Sequence, residues 1–486
     1  MTAAGPDPRR WRALAVTLTA GFMTLLDVSI VNTALPSIQR DLNTGASTIQ
    51  WVVSGYALTF GLVLVTGGRL GDALGRRRMF LVALAAFVAT SALAGAAPDP
   101  ATLVAARLAQ GCAAGMLTPQ NSGLIQDLFH GAERGRAFGL FGAVVGISTA
   151  VGPVLGGVIL ALFGDPDGWR WVFYVNVPIG ALAFGLAMKL VPATDRRKIR
   201  LRTEIDFAGI VLLAVAVLGV LLPLVQSERG RLWWLFVVAV VFGAAFVWWE
   251  RRVASRGRAP LLDIGLFTTT PGYASGAAVG ALYFCGFAGI WLVFALFFQQ
   301  GLGYTPLQSG LSVTPFALGS AVSAAVAGRF VSRFGRRLTV AGLGIVVLAL
   351  LSVALVVQLV PPSAAGFAVA GPLLIGGIGG GMVISPNTTL TLECVPNHLA
   401  GVAGGALQTG QRIGTAIGTA VLASVFESVV ASSGHRTALT AAMSCAAAAT
   451  VVALALATLE LRARRRRAVL TEDQRAARSA ADIHRT

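Results

Sequence analysis

Asp27 lies near the middle of residues 14–35, an otherwise apolar stretch long enough to cross a bilayer. A carboxylate at that depth costs about 2.5–3.5 kcal/mol on insertion scales, so its natural chemistry is proton exchange, facing a polar cavity or a proton path. Two arginines also stand inside apolar runs, Arg107 within 101–125 and Arg412 within 402–430. Arg107 either turns inward, where it can stabilise a carboxylate or hold a substrate acceptor, or snorkels toward the helix end near Pro98 and Pro100. Arg412 can attract a polar or anionic substrate group, pair with an acid such as Asp27 across a cavity, or serve as a structural partner between helices. Glu393, near the end of its run, is either solvated or a second coupling acid. ATP hydrolysis is excluded as an energy source: a phosphate-binding loop ends Gly-Lys-Ser/Thr, and the only lysines, Lys189 and Lys198, do not follow glycine. The four histidines form no zinc or nucleophile-base pattern, so neither enzyme, metal nor cofactor is expected. Cys112, Cys285, Cys394 and Cys445 are dispersed and are expected as buried small hydrophobes.

The elements that must position these groups are membrane helices. Of 486 residues, 55% are hydrophobic and 12% charged, too little polar surface to solvate a globule of this size. Apolar runs near the bilayer span recur at 14–35, 49–68, 79–97, 101–125, 137–163, 171–191, 207–226, 232–249, 272–299, 309–331, 338–360, 364–390, 402–430 and 438–461. The chain is therefore an all-α polytopic membrane protein with fourteen expected spans; strands of a membrane barrel would be about ten residues long with a polar inner face.

A net charge of +17 would point to nucleic acid in a soluble protein, but here it follows topology. Arg9, Arg10 and Arg12 precede the first run, and further clusters fall in alternate loops at 76–78, 134–136, 196–202, 251–258 and 333–337, with 464–467 in the tail. The intervening loops carry only Arg40, Arg170, Arg229, Arg231 and Arg436. Cytoplasmic loops collect Lys and Arg, so both termini are expected in the cytoplasm and the chain in the plasma membrane. The first run continues through Asp27 without a clear cleavage site and reads as a retained helix rather than a signal peptide.

The stretch Gly68-Arg-Leu-Gly-Asp-Ala-Leu-Gly-Arg-Arg-Arg78 recurs as Gly328-Arg-Phe-Val-Ser-Arg-Phe-Gly-Arg-Arg-Leu338, about 260 residues later. Gly115, Met116 and Pro119 echo Gly381, Met382 and Pro386 at nearly the same offset, as Gly139 and Gly152 echo Gly405 and Gly418. Six spans occupy about 190 residues, so the offset implies an insertion of roughly seventy, which spans seven and eight supply. The expected layout is a six-helix bundle over 1–194, a two-helix insert over 195–265, a second bundle over 266–461 and a basic cytoplasmic tail over 462–486.

These motifs resemble the major facilitator superfamily, and within it the fourteen-helix drug:proton antiporters. Leu26-Asp-Val-Ser-Ile-Val-Asn-Thr-Ala-Leu-Pro36 resembles the helix 1 signature of that family. Gly68 to Arg78 resembles the superfamily loop between helices 2 and 3, with Ala73 where an Arg is usual. In it Gly68, Gly71 and Gly75 permit close approach and a tight turn, Asp72 can face a helix N-terminus or an Arg, and Arg76 and Arg77 anchor the cytoplasmic face. Arg107-Leu-Ala-Gln-Gly111 resembles a helix 4 motif whose Arg is implicated in proton coupling. Gly139 through Gly152-Pro153-Val-Leu-Gly156-Gly157 resembles the antiporter motif of helix 5, with Ser148 at a frequent glycine position and Thr419 where the second half lacks the proline. Trp169 to Gly180 also resembles the family; its tryptophans are expected at the outer interface, and Asn176 and Pro178 as structural residues.

The resemblance implies export of a small amphipathic drug or antibiotic in exchange for protons by alternating access, in a monomer embedded in lipid, with no nucleic acid. Asp27 and Arg107 are the expected proton-coupling pair, Asn32, Gln110, Gln408 and Arg412 the substrate-cavity candidates, and Gly68, Gly71, Asp72, Gly75, Arg76, Arg77, Gly152, Pro153, Gly156 and Gly157 the gating motif. A proton-coupled metabolite transporter on the same scaffold is the alternative; a channel or a non-transporting sensor accounts poorly for the repeat.

Overall fold

The computed structural model describes residues 8–164, 167–192, 206–225 and 232–483. The basic cluster at 196–202, Arg229, Arg231 and the expected boundary at 194 lie outside the described residues. Backbone polar groups in a bilayer must be satisfied within their own segment, and the described residues meet that demand with helices. They are α1 (Arg10–Asp41), α2 (Ala46–Leu74), α3 (Arg76–Gly95), α4 (Pro100–Leu128), α5 (Gly131–Phe163), α6 (Gly168–Tyr174), α7 (Asn176–Leu190), α8 (Phe207–Val225) and α9 (Leu235–Ser255). There follow α10 (Gly265–Thr269), α11 (Tyr273–Ala295), α12 (Pro306–Phe334), α13 (Arg336–Leu359), α14 (Ala365–Ala368), α15 (Ala370–Leu392) and α16 (Ala400–Ile483), the last broken at Gly434, whose φ is 80°.

Helix coincides with each predicted apolar run. Among the described residues, eleven segments are long and apolar enough to cross a membrane, with the stretch from Asn397 to Ala463 counted once across the Gly434 break. Two long helices, α4 and α9, are not among the eleven. In α4 the reason is the buried polar set Arg107, Gln110, Gln120, Asn121 and Gln126, which needs protein neighbours rather than lipid.

Local chemistry sets the helix ends. Asp99 caps α4, its carboxylate accepting from the Thr102 amide at 2.9 Å, with Pro100 in the first turn where a missing N–H costs nothing. Thr305 and Gln308 form a reciprocal capping box at the start of α12. Gly75 (φ 96°) and Gly335 (φ 52°) make the corresponding sharp turns of the repeat, a conformation an L side chain resists.

In the first half, α1 packs on α5, α2 on α4, and α3 on α4 and α7; in the second, α11 packs on α16, α12 on α15, and α13 on α15 and α16. The halves meet where α5 lies along α12 and α2 along α16. Glycine sets that distance: a Cβ at Gly328 would stand 2.5 Å from the Gly139 Cα. One at Gly405 would stand 2.5 Å from the Leu64 carbonyl oxygen. Helices α8 and α9 pair with each other, and α8 rests on the outside of the α2–α16 seam through Leu58, Val217, Leu221 and Ile413.

Two expectations are corrected. Trp169 is not an interfacial belt residue: it is fully buried and donates its indole N–H to Asp41 at 2.8 Å, while Trp171 is the exposed one. None of the four cysteines is fully buried, and Cys394 is exposed, because it follows the end of α15 rather than lying in a helix core. The last helix runs on through residue 462 to Ile483.

Candidate functional site

Asp27 has no exposed surface and sits where α1, α4 and α7 converge. Its Oδ2 pairs with Arg107 Nη1 at 2.5 Å, and its Oδ1 accepts from Gln110 Nε2 and Asn176 Nδ2, each at 3.0 Å. Arg107 and Gln110, three residues apart on α4, present their polar groups to one face. They are also bonded to each other, Arg107 Nη1 donating to Gln110 Oε1 at 2.7 Å. Arg107 does not snorkel: it is buried, donates through Nε to the Val52 carbonyl at 3.0 Å and lies 4.2 Å above the Tyr56 ring. Asn176 is itself held by Ser91 Oγ at 3.1 Å, and Ser91 donates to the Phe173 carbonyl at 2.9 Å. An isolated buried carboxylate is costly, and here one cation and two amide donors offset its lost hydration.

Tyr56 continues the arrangement toward the second half. Its hydroxyl donates to the Thr24 carbonyl at 3.1 Å, and its ring stacks with Phe60, centroids 6.0 Å apart. Arg412 of α16 lies 4.3 Å above the other ring, that of Phe60. It forms no ion pair with Asp27 in this structure, so two arginines flank one aromatic pair while only Arg107 reaches the carboxylate. Gln408, one turn from Arg412, donates to Ser122 at 3.4 Å across the halves. Asn32 is exposed and lies away from the Asp27 cluster. Glu393 is exposed as well.

At the α2–α3 turn the gating candidates form a latch. Asp72 accepts from the first amides of α16, Gly401 N at 3.0 Å and Val402 N at 2.9 Å, and from Arg76 Nη2 at 3.0 Å. A carboxylate at a helix N-terminus satisfies otherwise unpaired N–H groups and the positive end of the helix dipole. Arg76 is buried rather than facing the membrane surface: it also reaches Asp127 at 2.5 Å, the Gly123 carbonyl and the Asn397 carbonyl. Arg77 donates to the Met188 carbonyl. A Cβ at Gly68 would strike Gly401, and one at Gly71 would strike Gln120, so both glycines are required by close approach. In the second half Arg336 stands where Arg76 does, but meets Asn387 in place of Asp127 and takes its carboxylate from Glu460. Ser332 replaces Asp72 and is exposed, so the latch carboxylate has no counterpart.

On α5, Cβ atoms at Gly152 and Gly156 would collide with Ser29 and Thr33 of α1, whereas Gly157 faces open space and contributes no close contact. Pro153 lies inside α5 without ending it. Sequence reading took Asn176 as structural without its bond to Asp27, and missed Ser91 and Tyr56. A polar side chain at 176 within an apolar run was a usable signal for the first; nothing local marked the others.

A helical bundle built from an internal repeat, with buried charges between helices and a latch across its halves, defines a membrane transporter scaffold. The profile of the Major Facilitator Superfamily matches residues 17–419, and the chain belongs to that family. It is 36% identical over 422 residues to a probable actinorhodin transporter of Streptomyces coelicolor, covering 85% of this chain and 72% of that protein. It is 36% identical over 424 residues to the puromycin resistance protein pur8 of Streptomyces alboniger, covering 85% and 81%. Among solved structures, the human organic anion transporter MFSD10 (TETRAN) superposes with a TM-score of 0.69 at 16% identity, over 93% of this chain and 100% of that one, a likeness of fold alone. The protein is thus a multi-pass membrane transporter of a drug-efflux group and not an enzyme.

Proposed function

We propose that the chain exports small amphipathic drugs or antibiotics across the plasma membrane in exchange for protons. The supporting observation is Asp27: a fully buried carboxylate, held by Arg107, Gln110 and Asn176, with Tyr56 and Phe60 lying between Arg107 and Arg412 of α16. The relatives named above are, by their names, an antibiotic transporter and an antibiotic resistance protein, which favours a compound of that kind over a metabolite. In this reading fourteen helices cross the membrane, with both termini and the α2–α3 latch on the cytoplasmic side, as the arginine clusters favour. Residues 1–194 and 266–461 are the two rocking bundles, 195–265 an insert that rides on the seam, and 462–486 a cytoplasmic tail; the transporter works as a monomer.

Protonation of Asp27 removes the charge that orients Arg107, Gln110 and Asn176 and loosens α1 from α4 and α7. Loss of the proton on the inner side restores the cluster. The Asp72 latch and the glycine contacts of α5 on α12 then hold one of two discrete arrangements of the halves. One charge crossing 100 mV supplies about 2.3 kcal/mol, enough for roughly a fifty-fold gradient of a neutral substrate at one proton per turnover. Asp27→Asn in proteoliposomes is expected to abolish export driven by a pH gradient while the protein still inserts; undiminished proton-driven flux removes Asp27 from the mechanism.

A further inference from the structure

We propose that Arg412 is the anion-binding subsite of the transport path, and that the substrates it selects are amphipathic organic anions bearing a carboxylate, sulfonate or ionised phenol. The inference deepens the export reading by naming a substrate class, and it rests on that reading for its place in the transport path.

Arg412 belongs to a stripe on α16 that meets the first half along its length. Gly401 lies on Gly68 and Asp72, Gly405 on Leu64 and Val65, Gln408 on Ser122, and Arg412 on Phe60. Eleven residues of helix place Arg412 about 16 Å from the latch, near the middle of a hydrocarbon core about 30 Å thick. At the latch end the stripe is sealed by glycines and by the Asp72 carboxylate. At Arg412 it carries a half-buried guanidinium instead.

Among the described residues that guanidinium pairs with no carboxylate; it lies over the face of Phe60, with Tyr56 as its other electrostatic neighbour. The other arginines deep in the structure differ. Arg107 holds Asp27, Arg76 holds Asp72 and Asp127, and Arg336 holds Glu460. An arginine at mid-membrane costs several kcal/mol unless it is compensated, and stacking on one ring leaves its N–H fork unused. The fork matches a planar oxyanion with two hydrogen bonds, which a Lys cannot reproduce. Asp72, the acid on the seam itself, is held by Arg76 and the α16 amides, and Asp27 is held by Arg107, so the charge that Arg412 presents is positive. A cationic substrate would meet repulsion there, a neutral one would leave the fork unsatisfied, and an anion satisfies it.

The test is equilibrium binding to the purified full chain in nanodiscs, without gradients, using 9-anthracenecarboxylate, its primary amide and 9-(aminomethyl)anthracene as probes of one aromatic body and three charges. The carboxylate is expected to bind at least about tenfold more tightly than the other two. Arg412→Gln should erase that preference while leaving amide binding within about twofold, and Arg412→Lys should keep the order carboxylate over amide over amine while weakening carboxylate binding by about fivefold, the loss of the two-bond fork. Equal affinity for the three probes, no binding of any of them, or an Arg412→Gln protein that loses amide and carboxylate alike overturns the assignment. Should Arg412→Gln not fold, the charge preference of the parent chain and the Arg412→Lys protein decide it. Because no proton moves in this assay, unimpaired proton-driven export by Asp27→Asn would defeat the coupling mechanism and leave the anion subsite standing.

Discussion

Asp27 shows how a single side chain acquires a role from its surroundings. Its position in an apolar run was enough to mark it as a buried charge in need of partners, and a motif placed Arg107 inside a helix as well. Asn176 could not be paired with it, because 149 residues separate it from Asp27 and no periodicity links α7 to α1. Replacing Asn176 by Leu leaves one carboxylate oxygen with a single donor and Ser91 without its amide partner. A loss of about 1.5–3 kcal/mol of stability is expected, seen as a lower unfolding midpoint of the purified protein. An unchanged midpoint means that the third donor does not hold the carboxylate. Arg412 marks the boundary of this kind of reading: its depth was visible, but that it stacks on Phe60 rather than pairing with Asp27 was not.

Between elements, the fold depends on which glycines face a neighbour. Gly156 and Gly157 are adjacent in one motif, yet only Gly156 touches α1. Gly157→Ala should therefore transport normally. Gly156→Val should lose most of its activity, because overpacking costs about 1–3 kcal/mol and spreads α5 from α1. Equal behaviour of the two in a vesicle export assay contradicts the observed packing. Similarly, Gly328→Val should separate α12 from α5. The latch makes a second prediction at this scale. Asp72→Asn keeps an acceptor for the α16 amides but removes the charge, a weakening of about 1–2 kcal/mol, or a factor of about 5–30 between latched and unlatched populations. Spin labels on α3 and on the start of α16 should report the wider distances that follow; an unaltered distribution assigns the latch elsewhere.

For the molecule as a whole, two unequal halves carry one repeat. Arg76 and Arg336 occupy matching turns, but Arg336 meets Asn387 where Arg76 meets Asp127, and Asp72 corresponds to the exposed Ser332. Of the first half's two carboxylates on Arg76, Asp72 thus bridges to α16, while Glu460 serves the second half from within. Opening at the α2–α3 end is therefore expected to be governed by one latch. Topology is tested independently: membrane-impermeant thiol reagents should reach cysteines placed at residue 78 and at residue 337 from the same side. Labelling from opposite sides would break the repeat assignment on which the two-bundle reading stands.

The all-helical class, the turns at Gly75 and Gly335, the repeat and the existence of buried charges were legible in the chain because lipid enforces them locally. Each segment must satisfy its own backbone, and each charge in an apolar run stands out against it. The pairing of those charges was not, nor was the choice of which glycine meets which helix, the burial of Trp169 or the exposure of Cys394. Those outcomes depend on contacts between residues far apart in sequence, where several partners are chemically equivalent and only the packed arrangement of helices brings one of them within hydrogen-bonding distance.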